Sequence, residues 1–418
     1  MALLFLCLIF GTGRTQKIEA AVQNVPESLE EESRLDTVGT DQETERAAVR
    51  EKKGQQEKEA GDTETDQAAA AQDELLAELD FDAIQQEVDS LLSSQQFSFA
   101  GTVRSLLQDG DPFRTFRAGN AVLSCAKTAF LAQKGLMKEL FLLVLAGAVL
   151  GSFSSLFEGK QVRDASFYMV YLLALALILK NFQSSGENLK AVITSLVAFM
   201  RILTPSYYLA ATAAGGASSA VMFYQMLLLV ILAVEKLLLA LVLPMIHIYL
   251  LIALVNDLSG EEILSHMTEL LEICVNGLLK SSLGVLVGMQ MIRNLIAPAL
   301  DSLRQMALWR TAGMIPGIGN AVNAVTELVA GSAVLIRNCF GVTAILVLLA
   351  AGMIPAVQLL VSGLSFRLLA AAAQPVSDKR IAGCLAAAGK GYAMLLRLLL
   401  TVEVLFLLTI AILAGTFS

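Results

Sequence analysis

Long uninterrupted apolar runs constrain this chain more than any other feature of its sequence. A helix that crosses a bilayer needs about 20 consecutive apolar residues, and several runs after residue 138 approach or exceed that length. Charged residues make up 16% of the chain, whereas they make up about a quarter of an ordinary soluble domain. The runs are continuous instead of alternating, which argues against a transmembrane β-barrel. The sequence therefore predicts an all-α, polytopic helical membrane protein.

We expect roughly seven spans in a multi-span membrane domain of residues 139–418, with the lipid bilayer as its surroundings. Helix breaks are expected at four prolines, because proline lacks the backbone donor that a helix interior requires. These prolines are Pro205, Pro244, Pro316 and Pro355. The expected spans are Glu139–Phe157, Ala165–Phe182, the charge-interrupted Asn188–Thr204, Val221–Val255, Ile263–Pro298, the stretch Gly313–Gly363, and Met394–Ala414.

The prolines also indicate an internal repeat. Pro205 and Pro316 are 111 residues apart, and so are Pro244 and Pro355. At this offset, residues 205–302 align with residues 316–418, each with a stretch of small residues followed by an apolar run. Repeats with interrupted helices recur in secondary transporters. We therefore expect the two segments to have the same order of helices.

Charge is distributed unevenly along the chain. Residues 22–111 contain 23 acidic and 7 basic residues, whereas the chain from Pro112 onward contains 14 acidic and 21 basic residues. Basic loops favour the cytoplasmic side of a membrane, so we expect the acidic N-terminal extension to be extracytoplasmic. The chain has no basic patch interleaved with aromatic residues, and therefore no nucleic-acid partner is predicted.

The N-terminal third divides into three parts. Residues 1–21 are interpreted as a signal peptide or a short anchor, because the apolar run from Met1 to Phe10 is too short to span a bilayer. Residues 22–96 form an acidic extension that is mostly disordered for lack of apolar residues, with one amphipathic helix over residues 73–92. Residues 97–138 predict amphipathic helices, either at the membrane interface or packed on the membrane domain.

Polar residues inside the apolar runs are the candidate functional residues. A charged side chain at the centre of a membrane costs about 2.5–3.5 kcal/mol on insertion scales. Asn320, Asn323 and Glu327 share one face of a helix, since they are three and then four residues apart. The other candidates are Glu235, Lys236 and Glu403. Two interpretations stay open: these groups fix the packing of helices, or they line a pore and couple to an ion.

Motifs of covalent chemistry are absent from the sequence. The stretch around Lys390 lacks both the spacing and the Ser or Thr of a phosphate-binding loop, and we interpret it as a flexible loop. The two histidines, His247 and His266, do not have the spacing of metal ligands. No paired catalytic motif occurs either. We therefore expect no enzymatic activity and no cofactor or metal.

Two stretches carry a resemblance to a known family. They are MIPGIGNAVNAVTELVAGSAVLIRN, from Met314 to Asn338, and AAAAQPVSDKRIAGCLAAAGKGYAMLLRLLLTVEVLFLLTIAIL, from Ala370 to Leu413. Both resemble the stage III sporulation protein AE family of endospore-forming bacteria. The likeness is strong over about the last hundred residues of the chain and looser back to about Phe97.

The resemblance implies an integral-membrane component of the sporulation channel complex that connects mother cell and forespore, required for endospore formation. It implies a multi-pass location in the mother-cell-derived membrane around the forespore. The implied partners are other proteins of the same operon, including an ATPase, and a forespore channel protein. Two alternatives stay open: a self-sufficient secondary transporter, and a non-conducting scaffold that recruits partner proteins.

Overall fold

Every described element of the protein is a helix. The computed structural model describes residues 80–92, 97–109, 118–154, 160–213, 218–259, 264–312 and 319–415. Within these ranges the side chains at 108–125, 150–167, 208–224, 227, 293–330 and 412–415 are not described. The leader and the part of the acidic extension that precedes Asp80 lie outside the described residues. Pro316 lies outside them as well.

The described residues form nine α-helices and one π-helical turn. In chain order these are α1 (Phe81–Leu91), α2 (Phe99–Asp109), α3 (Ala118–Ser154), α4 (Lys160–Ala213), α5 (Ser218–Leu237), the π-helical turn (Leu238–Val242), α6 (Leu243–Ser259), α7 (Ser265–Ala312), α8 (Gly319–Ala373) and α9 (Lys379–Gly415).

Five helical segments in the described part of the chain are long and apolar enough to cross a membrane. The predicted spans Ala165–Phe182 and Asn188–Thr204 lie in one continuous helix, α4, in which Tyr168–Tyr207 is one candidate span. The predicted span Glu139–Phe157 falls largely in α3, which is not among the five. The candidate spans are Tyr168–Tyr207, Leu228–Ser259, Ser265–Ile292, Gly331–Ala373 and Lys379–Ala411.

The predicted helix breaks at Pro205 and Pro355 are wrong, because both prolines lie inside continuous helices, α4 and α8. Buried membrane helices tolerate proline where neighbouring helices and local adjustments compensate for the lost donor. At Pro244 the adjustment is visible. The π-helical turn directly precedes α6, and the N–H of Leu243 donates to the C=O of Leu238, five residues back. The chain therefore stays helical through all three of these prolines.

The order of helices is the same after Pro244 and after Pro355. The helix with Pro244 is followed by α7, and the helix with Pro355 is followed by α9. The two differ locally, since a π-helical turn precedes Pro244 whereas α8 is α-helical through Pro355. The repeat of residues 205–302 in 316–418 stays a prediction.

An antiparallel pair of helices, α8 and α9, lies at the centre of the bundle. A Cβ atom built on Gly363 of α8 would lie 3.3 Å from the Cβ of Tyr392 on α9, which shows how closely the helices approach. Within the described residues, the α9 span is 56% buried and the α7 span is 22% buried. Helix α9 therefore lies inside the bundle and α7 at its edge. The fully buried face of α9 includes Leu385, Ala388, Tyr392, Leu395, Leu399, Val402 and Phe406.

Helices α1 and α2 form a short hairpin. The Asp80 carboxylate accepts a hydrogen bond from the N–H of Ala83 at 3.1 Å, which caps the start of α1. The Gln85 side chain donates to the C=O of Phe97 at 2.7 Å and accepts from the N–H of Phe99 at 2.8 Å. One amide side chain therefore joins α1 to the beginning of α2.

The hairpin packs on α8 through aromatic rings. The ring of Phe99 meets the edge of Phe340 at a centroid distance of 4.9 Å, and Phe81 lies 5.8 Å from the same ring. Phe99 and Phe340 are both fully buried. In its described part, the helix predicted over residues 73–92 therefore directs its apolar face toward the rest of the protein. Residues 73–79 lie outside the described residues.

Candidate functional site

The polar residues predicted from sequence lie in different surroundings. The side chains of Asn320, Asn323 and Glu327 lie outside the described residues, although their backbone belongs to α8. Glu235 on α5 is half-buried, and its carboxylate is attracted by Arg201 across on α4 and by its neighbour Lys236. Glu235 therefore has two cationic side chains nearby, which suits a role in packing.

Glu403 is in a different position, inside the α8–α9 pair. Its side chain is 8% exposed. The Oε1 atom is completely buried and has no hydrogen-bond partner among the described residues. Buried polar atoms in proteins are nearly always hydrogen-bonded, so an exception needs an explanation. Glu403 is therefore the sequence candidate that the structure favours most.

Gly352 on α8 provides the space for the Glu403 carboxyl group. A Cβ atom built on Gly352 would overlap Oε1 of Glu403. Any other residue at 352 would force the carboxyl group to move. Gly352 is also the central residue of the candidate span Gly331–Ala373. The helix pair therefore places an ionisable group inside two apolar candidate spans, where charge is expensive.

Pro355 changes the backbone beside this slot. Because proline has no N–H, the C=O of Ala351 receives no hydrogen bond from position 355. Ala351 is buried and is bonded directly to Gly352. A carboxyl group and a carbonyl that lacks its helical donor thus lie at the same level of the interface. The buried residues one helical turn away are apolar: Leu348 on α8, and Leu399 and Phe406 on α9.

Tyr392 lies on the same face of α9, three helical turns before Glu403. The two residues are 11 positions apart, so their side chains leave the helix in nearly the same direction, about 16 Å apart along its axis. Their neighbours on α8, Gly363 and Gly352, are also 11 positions apart. The Tyr392 hydroxyl accepts a hydrogen bond from Nδ2 of Asn181 at 2.6 Å and lies 3.2 Å from Oγ of Ser185.

Aromatic rings close the layer around Tyr392. Its ring stacks on Phe366 at 5.3 Å and meets the edge of Phe182 at 5.2 Å. Phe182 also packs on His247 at 5.3 Å. Nδ1 of His247 lies 2.9 Å from the C=O of Leu243, and since a carbonyl can only accept, Nδ1 carries the hydrogen. This layer is a satisfied polar and aromatic network, whereas the layer at Glu403 is not.

The stretch around Lys390 is helical, so its interpretation as a flexible loop is wrong. Lys390 forms an ion pair with Glu272 of α7 at 2.5 Å. A Cβ atom on Gly389 would lie 3.2 Å from the C=O of Gly363, and one on Gly391 would lie 3.0 Å from the ring of Phe182. In membrane helices, small residues permit close approach of neighbouring helices. The glycines therefore serve packing and not flexibility.

Sequence reasoning missed Gly352, Tyr392 and Asn181. Gly352 lies 11 residues before Gly363 on α8, and Tyr392 lies 11 residues before Glu403 on α9. This shared spacing could have indicated Gly352 and Tyr392, but only if the pairing of α8 with α9 were already known. No group of three or more His, Cys, Asp and Glu side chains in the described part of the chain is arranged to hold a metal ion. The described cysteines are free thiols, with Cys339 and Cys384 buried and Cys274 exposed.

Comparison with known proteins identifies the family. The family model described as stage III sporulation protein AE (spore_III_AE) matches residues 97–416. The stage III sporulation protein AE of Bacillus subtilis (strain 168) is 22% identical over 291 residues, which is 69% of this chain and 73% of that protein. No solved structure matches the chain. Because the family model covers more than half of the sequence, this chain belongs to the stage III sporulation protein AE family.

Proposed function

We propose that this chain is an integral-membrane component of the channel complex that connects mother cell and forespore, and that endospore formation requires it. The observation that carries the proposal is the extent of the family match. Residues 97–416 match a sporulation family, and the same residues contain all five candidate spans of the described chain. The matched region is thus the membrane body itself, and not an accessory segment.

In this proposal the chain acts in the mother-cell-derived membrane around the forespore, with its acidic extension in the space between the two membranes. Its partners are other proteins of the same operon, including an ATPase that supplies energy, and a forespore channel protein. The chain contributes passage or assembly without covalent chemistry and without a cofactor. The helix bundle with a buried polar interior supports this role, because such groups in membranes commonly mark pathways.

Isolation of the native assembly tests the proposal. The chain, carrying an affinity tag, is purified from sporulating cells of its own organism, and the co-purifying proteins are identified by mass spectrometry. We expect membrane proteins of the same operon and the ATPase. Deletion of the chain should abolish heat-resistant spores. Normal spores in the deletion strain, together with a chain that purifies alone, would contradict the proposal.

A second candidate function, a self-sufficient secondary transporter, is favoured by one observation. Glu403 is buried within a candidate span beside a proline-containing helix, as ion-coupling carboxylates of transporters are. The purified chain in liposomes distinguishes the two functions. Gradient-driven uptake without any partner would support the transporter. Tolerance of neutral replacements at Glu235, Glu327 and Glu403 in spore formation would favour a scaffold instead.

A further inference from the structure

We infer that Glu403 is a reversible proton-binding site inside the α8–α9 helix pair, formed by its carboxyl group and the slot at Gly352. The inference deepens the proposed function and rests on it for any role in passage across the membrane. The site itself is argued from contacts within this chain alone. It names the ligand, a proton, and the helix pair that holds it, α8 and α9.

The geometry distinguishes Glu403 from a carboxylate that serves packing. A packing carboxylate in a membrane helix is paired with a cation or receives hydrogen bonds from a neighbouring helix. Among the described residues, Oε1 of Glu403 has neither a cation nor a hydrogen-bond donor as a partner, although Glu403 is only 8% exposed. The carboxyl group instead points at a glycine, where a larger residue would overlap it.

The charged groups on the surrounding helices are engaged elsewhere or lie far from the slot. On α9, Arg397 donates to Oδ1 of Asn276 at 3.1 Å, and Lys390 is paired with Glu272. On α8, Arg337 and Arg367 are each 15 residues from Gly352, or about 22 Å along the helix. In the described part of the chain, no salt bridge joins the Glu403 carboxyl group to a charged side chain.

The remaining helices add no partner for Glu403. On α5, Glu235 and Lys236 interact with each other and with Arg201 of α4. The other ionisable groups face solvent or lipid, or belong to a different layer of the bundle. On α3, which packs against α8, Lys127, Lys134, Lys138 and Glu139 are exposed, and on α4 Lys180, Glu187 and Lys190 are exposed. Lys280 on α7 is exposed, Asp257 on α6 lies against Gly383, and His247 packs on Phe182.

The surroundings fit a proton better than a metal cation. Hard metal cations require about six or more oxygen ligands, whereas this slot is formed by one carboxyl group and a glycine, with buried apolar side chains one helical turn away. A proton requires a single carboxylate oxygen. On protonation the carboxyl group gains an O–H donor. The Ala351 carbonyl, which Pro355 deprives of its helical donor, is an acceptor beside the slot.

Carbodiimide labelling of the full-length chain in membrane vesicles tests the inference. The apolar reagent dicyclohexylcarbodiimide reacts with protonated carboxyl groups inside membranes and leaves a stable acylurea, which mass spectrometry locates. We expect labelling at Glu403 that falls about tenfold for each pH unit on the alkaline side of its titration. Glu403→Gln should abolish this label. As a matched control, Glu272→Gln removes an ion-paired carboxylate and should leave the label at Glu403 unchanged.

Two results would overturn the proton site: no label at Glu403 at any pH in a chain of normal abundance, or a label that does not change with pH. The proposed function is tested separately by the purification from sporulating cells. An unlabelled Glu403 in an assembly that retains its partners overturns the proton site alone. A labelled Glu403 in a chain without sporulation partners overturns the proposed function alone.

Discussion

At Tyr392, a buried phenol hydroxyl is shared by two side chains of α4, Asn181 and Ser185. The Tyr392→Phe change removes the hydroxyl and keeps the ring that stacks on Phe366. We expect the protein to lose about 0.6 kcal/mol of stability, the average measured for hydrogen bonds between membrane helices, and at most about 1.7 kcal/mol. The midpoint of thermal unfolding in detergent measures the loss.

A double-mutant cycle separates the hydroxyl from the ring. In an Asn181→Ala background the donor is already absent, so Tyr392→Phe should have a smaller effect there. Equal losses in both backgrounds would show that the hydrogen bond contributes nothing and that the ring packing alone matters.

The contact between Gly352 and Glu403 gives a second prediction. The Gly352→Ala change places a methyl group where the Glu403 carboxyl group lies. We expect a loss of about 1–3 kcal/mol, typical of overpacked interiors, measured by thermal unfolding in detergent. Glu403→Ala vacates the space, so Gly352→Ala should be tolerated in that background. If the two changes are simply additive, the carboxyl group does not occupy this slot.

At the scale of the helix, the pair α8–α9 depends on glycines at its crossing. A Cβ atom on Gly389 would lie 2.8 Å from Cγ of Arg367 and 3.2 Å from the C=O of Gly363, a backbone atom that cannot move alone. Gly389→Ala should therefore push the helices apart and destabilise the protein by about 1–3 kcal/mol. Thermal unfolding followed by size-exclusion chromatography measures the change.

Gly277 on α7 provides the matched control for this prediction. It lies inside a helix and a candidate span, as Gly389 does, but nothing lies within 4 Å of an added Cβ. Gly277→Ala should leave stability unchanged or raise it, because alanine is the better helix former. A loss at Gly277 equal to that at Gly389 would show that helix contact is not the cause.

The predictions made from proline and glycine residues were wrong in the long helices α4, α8 and α9. Pro205 and Pro355 were expected to end helices, yet packed neighbours keep α4 and α8 continuous. Gly389 and Gly391 were interpreted as flexible, yet they lie within α9 against Gly363 and Phe182. In both cases the packing of the whole helix overrode local propensity, and a single sequence does not reveal that packing.

At the scale of the whole described molecule, the α1–α2 hairpin is held against the bundle by few side chains. Phe99 is fully buried against Phe340 and Phe81. Phe99→Ala should weaken this docking by about 3–5 kcal/mol, the usual effect of removing a buried aromatic ring. Hydrogen exchange should then increase in residues 81–109.

Exchange in α9 should stay unchanged, because the ring of Phe99 packs on Phe340 of α8. Arg104→Ala alters an exposed residue of α2 and is the matched control. Faster exchange throughout the bundle after Phe99→Ala would mean that the hairpin is an integral part of the core and not a docked element.

The sequence by itself determined that this chain is helical and built for a membrane, because long apolar runs leave no other means of satisfying the backbone in lipid. It also included Glu403 among six candidate residues, since a charge inside an apolar run is visible without any structure. Tertiary structure alone decided that this carboxyl group lies buried against Gly352 and that Tyr392 bonds to Asn181. Helical periodicity gives the face on which a residue lies, but the neighbour that meets this face depends on contacts between residues far apart in the chain.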